Sequence, residues 1–263
     1  MLAKNTKHPP YKAQTSQLPP TRLQLKKLRW PSEQRTFWIT ALCLAVLALL
    51  FNTLSWGTLT AVTASALTVA WVFARAQHAS LVGSSVKISK RQVPRLGQLF
   101  EECARRLRPP LLDGFVAQNS ILNAYAFGLN KPHAIVLYSG LIEHLDDDEL
   151  RFVIGHEMGH IIFGHTRINS VIGGLAGVPG LPFVSLIATA AFMGWSRCAE
   201  YSADRAGLIA CGRLDKAQSA IVKMMVGPKL ASAVTVEELE KQAETLRWTP
   251  LCWLGQLGSR HPF

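Results

Sequence analysis

The longest apolar stretch of the chain covers residues 36–74 and contains no Asp, Glu, Lys or Arg. It is about twice as long as the ~20 residues that a helix needs to cross the hydrocarbon core of a bilayer. Turn-forming residues occupy its middle, at 52–57. The pattern therefore predicts two helices, over about 37–54 and 57–74, that form a transmembrane hairpin within residues 36–75. A buried core hairpin is the alternative, but so long an uncharged run is unusual in a soluble core.

Beyond the apolar block, the pattern alternates between helical and strand-like segments. Apolar residues recur at helical spacing in residues 93–107. Residues 114–129 and 134–138 are rich in strand-favouring residues and are bounded by turn formers. A further helical pattern runs to about His165. We expect an α+β, mainly helical domain with a small β-sheet over residues 90–263.

A second uncharged run, residues 168–196, follows this helix. Its length would allow one membrane crossing, but its glycine-rich first half is a poor helix former. The pattern leaves the relation of this run to the membrane open.

The net charge of +11 is concentrated near the apolar block. Residues 1–35 contain eight Lys and Arg side chains, five prolines and the single acid Glu33, which predicts a mobile basic tail. Basic residues also follow the block, beginning at Arg75. Positive flanks on both sides are typical of cytoplasmic ends of membrane helices, and they suit anionic lipid headgroups. Basic residues interleaved with aromatic or base-reading positions are missing, so we expect no nucleic acid partner.

The strongest chemical motif is His156-Glu157-Met158-Gly159-His160. Residues four apart lie on the same face of a helix, one turn apart, so the two imidazoles can bind one zinc ion. Glu157 lies beside the first histidine, where its carboxylate can take a proton from a zinc-activated water. The alternative is a chance match on a helix with solvated histidines.

A catalytic zinc ion needs a third protein ligand, and the candidates are His165, Thr166 and Glu200. If the helix simply continues, His165 lies about 500° of rotation beyond His160 and points away from the metal. Glu200 and Asp204 share a face if their segment is helical. Glu200 could then complete the site while Asp204 holds a ligand imidazole through its other nitrogen. The alternative is that Glu200 and Asp204 are an ordinary pair of acids on a helix. The histidine motif at 156–160 favours the ligand interpretation over this alternative.

Together, these two motifs resemble the HtpX and CAAX-prenyl-protease-type family of membrane zinc metallopeptidases. Further likeness lies in Asn123-Ala-Tyr-Ala126 and Ser259-Arg260-His261-Pro262. The resemblance implies one Zn²⁺ per chain, with Glu200 as its third ligand and Asp204 as the partner of a ligand histidine. It also implies a strand near Asn123 that borders the substrate cleft, and a contact of His261 with the developing oxyanion.

The sequence thus predicts a membrane-anchored zinc endopeptidase with Glu157 as general base. The resemblance implies polypeptide substrates near the membrane and a role in membrane protein quality control. We expect an integral membrane protein, in the inner or plasma membrane if bacterial, with its catalytic domain in the cytoplasm. The alternative is a non-catalytic membrane protein with a structural zinc site. A structural site needs no general base, so the presence of Glu157 argues against this alternative. A deletion of residues 1–35 should leave peptidase activity intact.

Overall fold

The computed structural model describes residues 27–54, 58–128, 131–176 and 182–248. Two long helices come first, α1 (Glu33–Leu54) and α2 (Thr58–Ser84). They contact each other, and they also pack on the domain that follows them. α1 ends at Leu54 and α2 begins at Thr58, close to the predicted bounds, but α2 continues ten residues beyond the predicted end at 74, through Arg75.

Only α1 is long and apolar enough to cross a membrane among the described residues, over Glu33–Leu50. The comparable apolar stretch of α2 is shorter, Ala64–Phe73. Most of the α1 surface is exposed in the structure, including Trp38 and Leu42. The predicted transmembrane helix is therefore matched by α1, whereas the predicted two-helix transmembrane hairpin is not confirmed.

A small mixed sheet follows, with strand order β1-β2-β4-β3. Its strands are β1 (Val86–Lys87), β2 (Leu112–Ala117), β3 (Ala124–Phe127) and β4 (His133–Tyr138). β2 and β4 are parallel, and β3 runs antiparallel to β4 with Ala124 opposite Leu137. β4 is a nearly continuous apolar run because it lies between two neighbours and is buried. β3 forms one edge of the sheet.

The remaining elements are helices, several of which pack against the sheet, which confirms the mainly helical α+β class. They are α3 (Pro94–Leu107), α4 (Ser139–His144), α5 (Asp147–Phe163), α6 (His165–Ala176), α7 (Pro182–Cys211), α8 (Leu214–Val226), a 3₁₀ turn (Ala231–Ala233) and α9 (Val236–Trp248). The core between them contains fully buried side chains from the sheet and from α3, α4 and α5, among them Leu96, Leu107, Ile135, Leu137, Leu141, Ile154 and Met158.

The axes of α5 and α7 approach closely because small residues line their contact. A Cβ atom added at Gly155 would lie 2.2 Å from the Cβ of Ala210, and one added at Gly159 would lie 2.9 Å from the Cβ of Ala206. Both distances are shorter than a carbon–carbon contact of about 3.5–4.0 Å. Glycine is therefore required here for close approach, and this approach brings the motif on α5 against the acidic motif on α7.

The segment before α1 also packs on the domain. Residues 27–33, here called the N-terminal strap, lie along α7. The main-chain N–H of Trp30 donates to Ser202 Oγ at 2.8 Å, and the Trp30 ring lies 4.8 Å from the ring of Tyr201. The sequence places this segment in a mobile tail because prolines and basic residues dominate it. The structure instead places residues 27–35 with the folded part of the chain, because four of their side chains, Arg29, Trp30, Ser32 and Glu33, have partners on α5, α6 and α7. The rest of the predicted tail, residues 1–26, lies outside the described residues.

Candidate metal centre

The helix that carries the histidine motif, α5, has well-defined ends. At its start, Asp146 accepts hydrogen bonds from the amides of Asp148 and Glu149, and Glu149 bonds back to the amide of Asp146. This capping box satisfies amides that the first turn would leave unpaired. At its end, Gly164 adopts the left-handed conformation, φ 83°. A glycine takes this conformation without a Cβ penalty, and the helix direction changes there.

The structure brings three of the sequence-predicted site residues together. Nε2 of His156 lies 3.1 Å from Nε2 of His160, and the Glu200 oxygens lie 3.3 Å and 3.6 Å from these two nitrogens. Ligands at Zn–N and Zn–O distances of about 2.0–2.2 Å in a tetrahedron are separated by about 3.3–3.6 Å. The two Glu200 distances are to different oxygens, Oε2 and Oε1, and all three separations are close to those between zinc ligands. Among the described residues no further His, Cys, Asp or Glu donor joins this cluster. All three side chains are buried or nearly so.

The orientation of His156 is fixed by Asp204. Nδ1 of His156 lies 2.9 Å from Oδ1 of Asp204, one turn beyond Glu200 on α7. Burial lowers the pKa of His156, but the hydrogen bonds to Asp204 and Glu200 outweigh it and hold the pKa well above its usual value. Asp204 therefore favours a proton on Nδ1 of His156, and it leaves Nε2 directed at Glu200 and His160.

His160 is oriented by a different partner, His165. Their Nδ1 atoms are 3.0 Å apart, and both rings are buried. The rotation argument for His165 assumed a continuous helix, and this assumption is wrong because α5 ends at Gly164 and α6 starts a new direction. His165 returns toward His160 and contacts the back of that ring, so it is not among the three clustered metal donors.

Sequence reasoning missed Glu33, the first residue of α1. Its carboxylate is fully buried and lies 3.0 Å from Nε2 of His165 and 2.9 Å from Arg29. The sequence signal was the single acid among the basic residues of the N-terminal segment, next to an apolar helix. That signal shows that Glu33 is unusual, but not which residue it contacts.

The other predicted site residues differ in how far the structure describes them. Glu157 is buried on α5 directly after His156. Asn123 lies immediately before β3, where its carbonyl accepts from the amide of Tyr138 at 3.1 Å. β3 packs against α5, and Asn123 directly precedes this strand. His261 lies outside the described residues.

Comparison with known proteins identifies the family. The profile of Peptidase family M48 matches residues 90–263, which include the histidine motif, the acidic motif and the residues around His261. This region is most of the chain, so the chain belongs to peptidase family M48, a family of metallopeptidases. The expected membership in the HtpX-type group is confirmed by this match and by the relatives described next.

Three relatives illustrate the group. The chain is 32% identical over 184 residues to the plastoglobule-localized metallopeptidase 48 of Arabidopsis thaliana. This match covers 65% of this chain and 53% of that protein. It is 35% identical over 104 residues to a protease HtpX homolog of Tropheryma whipplei, and this match covers 39% of this chain and 36% of that protein. It is 28% identical over 160 residues to a protease HtpX homolog of Methanothermobacter thermautotrophicus, and this match covers 53% of this chain and 62% of that protein. The chain thus spans less than two thirds of each of these relatives.

Proposed function

We propose that this protein is a membrane-anchored, zinc-dependent endopeptidase. The single observation that carries the proposal is the cluster of His156, His160 and Glu200, whose side-chain nitrogens and oxygens lie 3.1–3.6 Å apart, close to the separations between zinc ligands. One ion per chain would be held by these three residues. When bound, zinc would polarise the scissile carbonyl and lower the pKa of its water to about 7.

In this proposal, the remaining chemistry falls to side chains of the same cluster. Glu157, buried beside His156, takes the proton of the attacking water and later gives it to the leaving amine. Asp204 keeps the ring of His156 aligned through Nδ1. We infer an oxyanion contact for His261 only from the family resemblance, since that residue lies outside the described part of the chain.

The substrate would be an extended polypeptide. β3 is an edge strand of the sheet and packs against α5, and Asn123 immediately precedes it. An extended peptide can add to such an edge through main-chain hydrogen bonds, which would place its backbone along the histidine helix. Cleavage of membrane-associated polypeptides, including damaged membrane proteins, is the role that we propose from the family and the anchor helix.

The location would be a membrane, the inner or plasma membrane in a bacterium, with residues 90–263 on the cytoplasmic side. α1 supplies an apolar span of sufficient length, and basic residues lie ahead of it. The strap ahead of α1 packs on the catalytic domain, so both lie on the same side and the proposal requires α2 to lead the chain back across the membrane. Positively charged flanks favour the cytoplasmic side. Membrane fractions washed with alkaline carbonate should retain the protein, whereas release into the wash would contradict the anchor.

A structural zinc site is the competing function. Such a site has four protein ligands, yet among the described residues the clustered donors are only His156, His160 and Glu200. His165, the nearest candidate for a fourth ligand, contacts His160 through Nδ1 instead. The geometry therefore favours an open, catalytic position over a closed one.

The test is the zinc content of purified protein measured by elemental analysis. Wild type should contain about one zinc per chain, Glu200→Ala should lose most of it, and Glu237→Ala should match wild type. Glu237 is the control because it is an exposed glutamate on α9. Wild-type protein without zinc, or Glu200→Ala with a full complement, would overturn the assignment of the site.

A further inference from the structure

Glu33 lies at the centre of a buried polar chain that ends at the candidate metal centre. Its Oε1 contacts Nη1 of Arg29 at 2.9 Å and Nε2 of His165 at 3.0 Å. Its Oε2 accepts from the hydroxyl of Ser202 on α7. Nδ1 of His165 in turn lies 3.0 Å from Nδ1 of His160. The contacts thus lead from the first residue of the membrane helix to one of the three clustered donors.

The positions of the protons in this chain follow from its chemistry. A carboxylate can only accept, so Nε2 of His165 carries the proton that faces Glu33. In the proposed zinc site Nε2 of His160 would bind the ion, so Nδ1 of His160 would carry the ring proton and donate it to Nδ1 of His165. A proton at Nδ1 of His160 leaves its Nε2 with a lone pair. That Nε2 is the atom 3.1 Å from Nε2 of His156, in the metal cluster.

The N-terminal strap (residues 27–33) holds Glu33 in this place. Arg29 donates to the carbonyl of Phe163, at the end of α5, at 2.7 Å. The ring of Trp30 contacts both the ring of Tyr201, at 4.8 Å, and the guanidinium of Arg205, at 4.6 Å. The strap is thus fixed both to the end of the histidine helix and to residues that flank the acidic motif.

We propose that Glu33 is a positioning residue of the metal site: it sets the tautomer of His165, and through it presents Nε2 of His160 to the metal. The proposal rests on the proposed function, because it requires zinc at His156, His160 and Glu200. It extends that function by making the segment just ahead of the membrane helix part of the metal site. A deletion of residues 1–35 therefore removes a group that the site needs, contrary to the expectation from sequence, whereas a deletion of residues 1–26 retains it.

A buried ion pair with Arg29 that only stabilises the fold is the competing interpretation. The two interpretations differ for Glu33→Gln. The amide oxygen of Gln can still accept from Nε2 of His165, and its amino group can donate to Ser202 Oγ, so the tautomer is kept while the charge is lost. Glu33→Leu removes the acceptor and the charge together.

The first measurement is the tautomer of His165 by NMR, and it uses wild-type protein, so it does not depend on the folding of a Glu33 variant. In zinc-loaded wild-type protein with ¹⁵N-labelled histidine, ring correlations should show His165 neutral with its proton on Nε2. The His165 signals are assigned by their loss in a His165→Gln sample. A proton on Nδ1 of His165 would overturn the proposal, because His160 would then face a donor.

The second measurement is zinc affinity in detergent, by competition with a chromophoric chelator. We expect Glu33→Leu to bind zinc about tenfold more weakly than wild type, the lower end of the 10–100-fold loss for a direct partner of a ligand histidine, because Glu33 acts through His165. Glu33→Gln should stay within about threefold. Ser32→Ala is the matched control, since Ser32 contacts Cys198 from the same strap but is not in the chain of contacts.

The outcomes separate this proposal from the proposed function. If wild type binds zinc and Glu33→Leu binds it equally well, or Glu33→Gln loses as much as Glu33→Leu, the tautomer role is overturned and the peptidase function stands. If wild type binds no zinc, the proposed function fails and this proposal fails with it.

Discussion

Replacement of Gly155 by alanine tests the close contact between α5 and α7 that assembles the site. The new Cβ would lie 2.2 Å from the Cβ of Ala210. An unstrained contact needs about 3.5 Å, so the helices must separate locally by about 1.3 Å. A Cβ atom has no torsion by which it could turn away, and both atoms are attached directly to helix backbone.

The magnitude follows from two opposing effects. Overpacking of a core costs about 1–3 kcal/mol, and the upper end applies here because neither atom can move alone. Alanine in place of glycine in a helix gains up to about 1 kcal/mol. The net loss is about 2 kcal/mol. In a protein of 150–250 residues this loss lowers the melting temperature by about 4–8 °C. Zinc affinity should also fall, because α5 carries His156 and α7 carries Glu200.

The assay is thermal unfolding of detergent-purified variants, with zinc affinity measured alongside. Gly83→Ala is the control, because a Cβ added there meets nothing within 4 Å. The double variant Gly155→Ala/Ala210→Gly should recover most of the loss. Its recovery should be incomplete, since the Cα of Gly207 would still lie 3.1 Å from the new Cβ. Equal melting of Gly155→Ala and Gly83→Ala, or no recovery in the double variant, would refute the reasoning.

Three further predictions concern the supports of the site. Asp204→Ala should weaken zinc binding 10–100-fold in a chelator competition, because His156 loses its Nδ1 partner; Asp204→Asn keeps an acceptor oxygen, and an equal loss in both would contradict this role. Asp146→Ala should cost about 1–2 kcal/mol in thermal unfolding because it removes the cap of α5, whereas Asp147→Ala should cost less; equal losses would refute the cap. Burial raises the pKa of Asp146, but the hydrogen bond from Lys216 and two amide bonds outweigh it and lower the pKa below 3.8. The stabilisation by ionised Asp146 is therefore present above pH 3.8 and is lost as the pH falls through its lower pKa in the folded protein. Lys216→Met should reduce this acid sensitivity. A wild-type melting curve that does not change from pH 5 to pH 2 would contradict the prediction.

The sequence was sufficient for features that depend on local patterns. The amphipathic helix α3 and the strands β2 and β4 follow from periodicity and turn residues. The four-residue spacing of His156 and His160 placed their rings on one face. The same spacing placed Glu200 and Asp204 on one face of α7. These predictions succeeded because the residues concerned lie within one or two turns of one another.

Features that depend on distant contacts could not be read from the pattern. Glu33 and His165 are separated by 132 positions, so nothing local indicates that they meet. The direction of His165 depended on Gly164, where the chain turns between two helices. Glycine at that position was compatible with either a continuing or an ending helix, and only the packing of α6 on its neighbours decides between them.

The most direct test of the central claim compares Glu157→Gln with wild type. Both proteins are purified in detergent, their zinc content is measured, and hydrolysis of casein is followed. The account predicts about one zinc per chain in each and loss of nearly all activity in Glu157→Gln, because the residue needed is a base and not a ligand. Cleavage by Glu157→Gln at the wild-type rate would contradict the account.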